Sequence, residues 1–153
     1  MSNTKYHIIQ LDSLEDGVTL HVHLWPTKNA IGWVHIMHGM SEHGGRYDGL
    51  AKVLNSEGFN VSAGDHRGHG LTGKAANTLG HLANQNGWNK VVVDQAEIIT
   101  HLQQQWSQPL TILGHSMGSF LATRVAQRYA KKLANQLQGC LLYTSPSPRD
   151  VEE

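Results

Sequence analysis

Residues 110–118 read LTILGHSMG, a short apolar run that leads directly into the pattern G-x-S-x-G. Apolar residues recur at helical spacing over residues 120–129, so this stretch predicts a strand, a one-residue corner and a helix. A turn this sharp forces the central Ser116 into a strained backbone conformation. It also leaves space only for small residues two positions away on either side, where the sequence has Gly114 and Gly118.

The central serine of this turn is expected to act as a nucleophile. Ser116 would stand at the tip of the corner, and the helix that begins at Met117 would direct its free N–H groups toward the same point. These groups would stabilise negative charge on a substrate oxygen. We therefore interpret residues 114–118 as a nucleophile elbow. The alternative is a chance match in a chain with 16 glycines, and the flanking strand and helix argue against it.

Composition excludes several classes of protein. The 12 basic and 12 acidic side chains cancel, so neither a nucleic-acid partner nor a polyanionic surface is predicted. The first ten residues lack a signal-peptide core, and no window approaches the roughly 18 apolar residues of a membrane span. These observations predict a cytoplasmic protein. Cys140 is the only cysteine, which rules out an internal disulfide.

The first half of the chain predicts a hairpin followed by a parallel pair of strands. Two β-type runs, residues 6–11 and 19–25, are joined by a polar link and read as an antiparallel hairpin. A strand at 33–37, a helix at 50–57 and a strand at 59–63 follow. A strand–helix–strand unit of this kind implies parallel strands with a right-handed crossover.

The second half continues the alternation of helices and strands. A polar region reaches residue 86, and a helix is predicted over 88–106 with Trp88 on its buried face and Asp94 directed outward. The elbow strand and its helix follow to Lys132, and another strand begins at Leu137. The predicted fold is an α/β, mostly parallel sheet with helices on both faces, and its site lies at the carboxyl ends of the strands.

Three segments together resemble a known family: HGMSEHGGRY at 38–47, GDHRGHG at 64–70 and GHSMGS at 114–119. In this order they resemble the α/β-hydrolases of the monoacylglycerol lipase, lysophospholipase and serine aminopeptidase group, particularly bacterial lysophospholipases. The resemblance extends from Tyr6 to about Gly139. It implies the amino-terminal half of an α/β-hydrolase fold.

The resemblance also implies a catalytic site. Ser116 would be the nucleophile, and the backbone amides of Met40 and Met117 would form the oxyanion hole. Five neighbours are expected to support them: His38, Gly39, Gly114, His115 and Gly118. Of these, His115 occupies the variable position of the elbow and is expected to pack rather than to take part in catalysis.

Histidines are frequent, with 11 in the chain, but they do not form a recognisable metal-binding pattern. Neither H-E-x-x-H nor a cysteine-bearing zinc spacing is present, so no metal and no cofactor are predicted. His38 and the turn at 66–69 are instead expected to shape the rim of the site through hydrogen bonds to the loop backbone. Asp65 is expected to anchor that turn, together with Arg67.

The chain departs from the family after the elbow. The family order is nucleophile, acid, histidine, but no histidine follows Ser116, and the remaining acids are confined to residues 150–153. Residues 140–150 resemble one reading frame of a sequencing-library adaptor. We therefore expect residues 1–139 to be a truncated hydrolase domain and 140–153 to be a non-native tail. The alternative is a genuine short protein with a Ser/Pro-rich tail.

The expected function is hydrolysis of a carboxylic ester in a lysophospholipid or a monoacylglycerol, with these 153 residues inactive by themselves. A serine aminopeptidase of the same group and a non-catalytic folded module are the alternatives, because the cap region that selects the substrate would follow residue 139. A small lipid ester is the expected partner, with peripheral membrane contact in the full-length enzyme. No obligate protein partner is implied.

Overall fold

The fold is a β-sheet flanked by helices, seen in a computed structural model that describes residues 4–143. The strands are β1 His7–Asp12, β2 Thr19–Trp25, β3 Gly32–Met37, β4 Phe59–Gly64, β5 Leu110–His115 and β6 Leu137–Tyr143. The helices are α1 Asp48–Ser56, α2 Gly70–Ala76, α3 Gly87–Leu102, α4 Met117–Arg128 and α5 Ala130–Leu133. A 3₁₀ turn at Gly44–Tyr47 precedes α1.

Within these residues the strands form one six-stranded sheet in the order β1-β2-β4-β3-β5-β6. The strand β2 pairs antiparallel with both β1 and β4, whereas β3 runs parallel to β4 and β5, and β5 runs parallel to β6. This topology confirms the predicted, mostly parallel sheet with an antiparallel hairpin. It brings the carboxyl ends of β3, β4 and β5 to one edge of the sheet.

Both faces of the sheet are covered, as predicted. Trp33 and Met37 of β3 belong to a core that includes Val91 of α3 and Leu121 of α4. The alternate residues of the same strand, such as Ile36, belong to a second core on the α1 side. Because side chains alternate across a strand, β3 is buried on both faces and holds the loop that follows it in place.

The helix α3 corrects three predictions. It ends at Leu102, before the predicted end at Trp106, and Asp94 is buried with 2% of its surface exposed rather than directed outward. Trp88 is 41% exposed instead of lying in the core. Asp94 is drawn inward because it is the counter-ion of the buried Arg67.

Two further elements differ from the predictions. The polar region after β4 contains the short helix α2. The elbow helix, predicted to reach Lys132, ends at Arg128, and α5 takes up the residues that follow. The strand predicted to begin at Leu137 is β6, and it continues through Tyr143 because residues 140–143 are apolar enough to pair with β5. The rest of the predicted tail lies outside the described residues.

None of the helices in residues 4–143 is long and apolar enough to cross a membrane.

Candidate active site

The elbow has the predicted strained geometry. Ser116 connects β5 to α4 with φ 53° and ψ −119°, a conformation that is costly for a residue with a side chain. A methyl group on Gly118 would overlap the carbonyl oxygen of Met37 and lie 2.7 Å from that of His38. One on Gly114 would lie 2.7 Å from the Cα of Ser119. The two glycines therefore allow strand, turn and helix to meet at backbone contact distance.

The loop after β3, residues 38–47, approaches the elbow closely, and we call it the oxyanion loop. A methyl group on Gly39 would lie 3.2 Å from the Cβ of Ser116. Ser116 is half-buried, and Met117 is the first residue of α4. No hydrogen bond between described residues uses the backbone N–H of Met40 or Met117, so both amides are available to a ligand oxygen.

A buried carboxylate that the sequence analysis did not single out joins the oxyanion loop to the elbow. Glu42 accepts hydrogen bonds from the Gly39 amide at 2.9 Å, His115 Nδ1 at 2.5 Å and the Tyr47 hydroxyl at 3.1 Å. Arg46 adds an ion pair at 3.1 Å. His115 is thus half-buried and held by Glu42. The only feature of the sequence that indicated this role of Glu42 is the arginine four positions later, Arg46.

The Glu42 carboxylate remains charged despite its burial. Burial raises its pKa, but the hydrogen bonds from His115, Gly39 and Tyr47 together hold the pKa below its ordinary value. Its folded pKa therefore lies below its unfolded pKa. Such a group stabilises the fold above the unfolded pKa, and the stabilisation is lost as the pH falls through the folded pKa.

Replacing Glu42 by Gln is expected to lower the free energy of unfolding by about 1.5–3 kcal/mol at pH 7, because charged acceptors make the stronger bonds. The loss relative to wild type should shrink as the pH falls through the lowered pKa of the wild-type carboxyl, where that group is itself protonated. Urea unfolding followed by circular dichroism at pH 7 and at a series of acid pH values measures both. The exposed Glu57→Gln is the matched control, and an equal effect of the two variants would contradict the role of Glu42.

The turn after β4 is anchored by Asp65, as predicted, but without Arg67. Asp65 accepts hydrogen bonds from the amides of Gly44 at 2.6 Å and Leu71 at 2.9 Å. It thereby ties the turn to the oxyanion loop. The predicted pairing of Asp65 with Arg67 is wrong, because the guanidinium of Arg67 binds the buried carboxylate of Asp94.

Arg67 is the centre of a buried ionic cluster. It is 2% exposed and donates from Nε to Asp94 at 2.5 Å, from Nη1 to Asp16 at 2.7 Å and from Nη2 to Ser13 at 2.8 Å. Asp16 and Ser13 lie in the link between β1 and β2, and Asp94 lies on α3. The cluster therefore joins the hairpin, the turn after β4 and α3.

The histidines near the site are occupied by protein groups. His38 Nδ1 donates to the carbonyl of Gly39 at 2.7 Å, and His66 Nε2 donates to the carbonyl of His38 at 2.8 Å. These contacts confirm the predicted hydrogen bonds to loop backbone. Among residues 4–143 no group of three or more histidines, cysteines or acids is arranged to hold a metal ion.

A cavity of about 760 Å³ opens next to the oxyanion loop and the start of α4. Met40 and Met117 line it on the side of the elbow, and Leu71, Leu79 and Ile8 contribute further apolar wall. A site of this kind suits a ligand with an apolar chain next to the reacting group.

Sequence comparison identifies the family. The sequence model of the family described as serine aminopeptidase, S33, matches residues 28–146. The chain belongs to this family. The match includes the oxyanion loop, the turn after β4 and the elbow.

Relatives of this S33 chain include a phospholipase and monoglyceride lipases. It is 31% identical to phospholipase YtpA of Bacillus subtilis over 98 residues, which cover 64% of the chain and 35% of YtpA. It is 32% identical to human monoglyceride lipase over 113 residues, which cover 72% of the chain and 35% of that enzyme. The chain thus spans about a third of the length of these relatives.

Solved structures agree with the S33 assignment. A thermostable carboxyl esterase from Bacillus coagulans in complex with glycerol superposes with a TM-score of 0.79 at 26% identity, covering 92% of this chain and 44% of the esterase. A lipase in an open form superposes with a TM-score of 0.79 at 28% identity, covering 90% and 44%. The chain therefore has an α/β-hydrolase fold, as its resemblance implied.

Proposed function

We propose that this chain supplies the nucleophile and the oxyanion donors of a serine ester hydrolase. The observation that carries the proposal is the strained turn at Ser116, set between β5 and α4 beside the free amides of Met40 and Met117. A strained residue at the tip of a strand–helix turn is the geometry that presents a nucleophile to a substrate.

The reaction follows from these groups. The Ser116 oxygen attacks the acyl carbonyl, and the N–H groups of Met40 and Met117 donate to the oxyanion that forms. A base takes the serine proton and passes it to the departing alcohol, which leaves an acyl-enzyme. Water then attacks the acyl group, and the carboxylic acid is released with Ser116 restored. No histidine follows Ser116 in these 153 residues, so we expect them to be inactive alone.

The proposed substrate is a lysophospholipid or a monoacylglycerol. The apolar wall of the cavity beside Met40 and Met117 supports an acyl chain, and relatives carry the names phospholipase and monoglyceride lipase. We further propose that the full-length enzyme contacts membranes peripherally, where such lipids reside. The family description favours one alternative, a serine aminopeptidase. This would use the same nucleophile on a peptide.

A fluorophosphonate probe tests the nucleophile. Without a base, labelling of Ser116 is expected to be slow. Added imidazole should raise the labelling rate at least tenfold, which is less than the roughly 100-fold or more that a positioned base contributes. Intact-mass and peptide mass spectrometry give the extent and the position of the adduct. Ser116→Ala should abolish the imidazole-dependent label, whereas the exposed Ser107→Ala should retain it.

The label distinguishes the proposal from a non-catalytic module. Imidazole-dependent labelling that is absent, or that persists in Ser116→Ala, would remove the support for a hydrolase nucleophile. Esterase turnover that occurs without imidazole and is lost in Ser116→Ala would support Ser116 as the nucleophile. It would contradict the expected inactivity of these 153 residues. The genomic sequence after the codon for Gly139 is a second test, since the proposal expects an open frame that carries an acid and then a histidine.

A further inference from the structure

A continuous chain of buried hydrogen bonds runs from the core toward the oxyanion loop. Trp33 Nε1 contacts Ser62 Oγ at 2.8 Å, and Ser62 Oγ contacts His35 Nδ1 at 2.7 Å. His35 Nε2 contacts Gln95 Oε1 at 2.8 Å, and Gln95 Nε2 contacts His66 Nδ1 at 2.9 Å. These side chains come from β3, β4, the turn after β4 and α3, so the chain links four segments of the fold.

The chain ends on the backbone of the oxyanion loop. His66 makes two bonds to His38: its ring Nε2 lies 2.8 Å from the His38 carbonyl, and its amide lies 3.0 Å from His38 Nε2. His38 Nδ1 then lies 2.7 Å from the carbonyl of Gly39. We call Trp33, Ser62, His35, Gln95, His66 and His38 the histidine relay. None of the six is more than 1% exposed.

The groups at the two ends fix every donor and acceptor in the relay. The carbonyl of His38 only accepts, so His66 Nε2 carries a proton and Nδ1 of the neutral ring accepts from the Gln95 amide nitrogen. Gln95 Oε1 must then accept from His35 Nε2, which leaves His35 Nδ1 to accept from the Ser62 hydroxyl. Ser62 Oγ is free to accept from Trp33, whose indole N–H only donates. The assignment is consistent from end to end.

His38 has the opposite tautomer for the same kind of reason. Its Nε2 faces a backbone amide, which only donates, so its proton is on Nδ1 and is donated to Gly39. A second proton on His38 or His66 would place two donors face to face. Burial lowers the pKa of both His35 and His38 to about 4, and it lowers that of His66 well below its ordinary value, so all three rings are neutral near pH 7.

We propose that the histidine relay positions the oxyanion donor: it fixes the Gly39–Met40 peptide and strengthens the N–H of Met40. The Gly39 carbonyl and the Met40 N–H belong to the same peptide group, and a hydrogen bond accepted by the carbonyl polarises that group toward a stronger donor. The bond that directly precedes it, from the His66 amide to His38 Nε2, adds to this effect, because hydrogen bonds in a chain polarise one another. The ring of His66 donates instead to the His38 carbonyl and thereby fixes the position of His38. The inference rests on the proposed function, in which Met40 binds the oxyanion.

Gln95 is the residue through which to test the relay, because it is the link between the two core histidines. We expect ring ¹⁵N signals of wild-type protein at pH 7 to show Nε2–H for His35 and His66 and Nδ1–H for His38. In Gln95→Met the side chain can neither donate to His66 Nδ1 nor accept from His35 Nε2, so the ring of His66 is no longer held in place against the His38 carbonyl. The amide proton of Met40 should then move upfield, as expected for a weaker donor.

Two further variants control the experiment. Ser62→Ala, at the far end of the relay, is nearly isosteric and should move the Met40 amide in the same direction by a smaller amount. Gln104→Met, at an exposed glutamine beyond α3, should change neither the tautomers nor the Met40 amide. Circular dichroism and dispersed amide spectra establish that each variant is folded.

The outcomes separate this proposal from the proposed function. Different wild-type tautomers, or a Met40 amide that is unmoved in both folded variants, would overturn the relay. Slower imidazole-dependent labelling of Ser116 in Gln95→Met, with unchanged labelling in Gln104→Met, would support it. Failure of wild-type Ser116 to label at all would count against the hydrolase proposal alone, because the tautomers and the Met40 amide are read without labelling.

Discussion

Replacing Gly118 by Ala is expected to lower the free energy of unfolding by about 3 kcal/mol or more, the upper range for an overpacked core. The new methyl group would overlap the carbonyl oxygen of Met37 and lie 2.6 Å from the carbonyl carbon. These are backbone atoms of the buried strand β3, so they cannot rotate away as a flexible side chain would. Relief requires α4 to move from β3, which separates Met117 from the oxyanion loop.

Urea unfolding of Gly118→Ala measures this loss. Gly49→Ala is the matched control, since Gly49 lies in α1 and a methyl group there would meet nothing within 4 Å. That variant should be unchanged or stabilised by up to about 1 kcal/mol, because alanine is the better helix former. If Gly118→Ala were as stable as Gly49→Ala, the close approach of α4 to β3 would be refuted.

The elbow was predictable from sequence because its constraints are local. A strand, a corner and a helix within nine residues leave two positions for glycine and one for a strained residue, and the structure has Ser116 at positive φ. The sheet was predictable for a similar reason, since short apolar runs and the spacing between them indicate which strands are parallel. The local sequence pattern was therefore sufficient to predict the sheet and the elbow.

Other side chains that hold the site were not predictable, because their partners are distant in sequence. Glu42 binds His115, 73 residues away, and the local sequence around Glu42 does not predict that contact. Helical periodicity directs a charged residue such as Asp94 outward, but Arg67, 27 residues earlier, holds it in the core. The helix α2 is rich in glycine and is held by Thr72, whose hydroxyl donates to the carbonyl of Asp65. In each case tertiary contact overrides local preference.

Removing the charge of Arg67 is expected to be the other large perturbation of this fold. Arg67→Met should lower the free energy of unfolding by about 3–5 kcal/mol, because it leaves the carboxylate of Asp94 buried without a counter-ion. Burial already raises the pKa of Asp94 against the hydrogen bonds from Arg67 and Ser13. Without Arg67 the carboxyl must take up a proton to remain inside. Chemical unfolding at pH 7 measures the loss.

Acid should reduce the difference in the free energy of unfolding between Arg67→Met and wild type. The hydrogen bond from Arg67 is the main cause that lowers the pKa of Asp16 to about 2, below its ordinary value of 3.8. A lowered folded pKa stabilises the protein above the unfolded pKa, and this stabilisation is lost as the pH falls from about 4 toward 2. The variant lacks the bond, so its stability should fall less steeply over that range.

A second substitution separates the buried charge from the packing of the Arg67 side chain. If the unpaired carboxylate causes the loss, Arg67→Met combined with Asp94→Leu should recover most of it, since apolar pairs often replace buried ion pairs at little cost. The exposed Arg124→Met should stay within about 0.5 kcal/mol of wild type. A double variant no more stable than Arg67→Met would locate the loss in the packing of Arg67 against the hairpin and α3, and not in the uncompensated charge of Asp94.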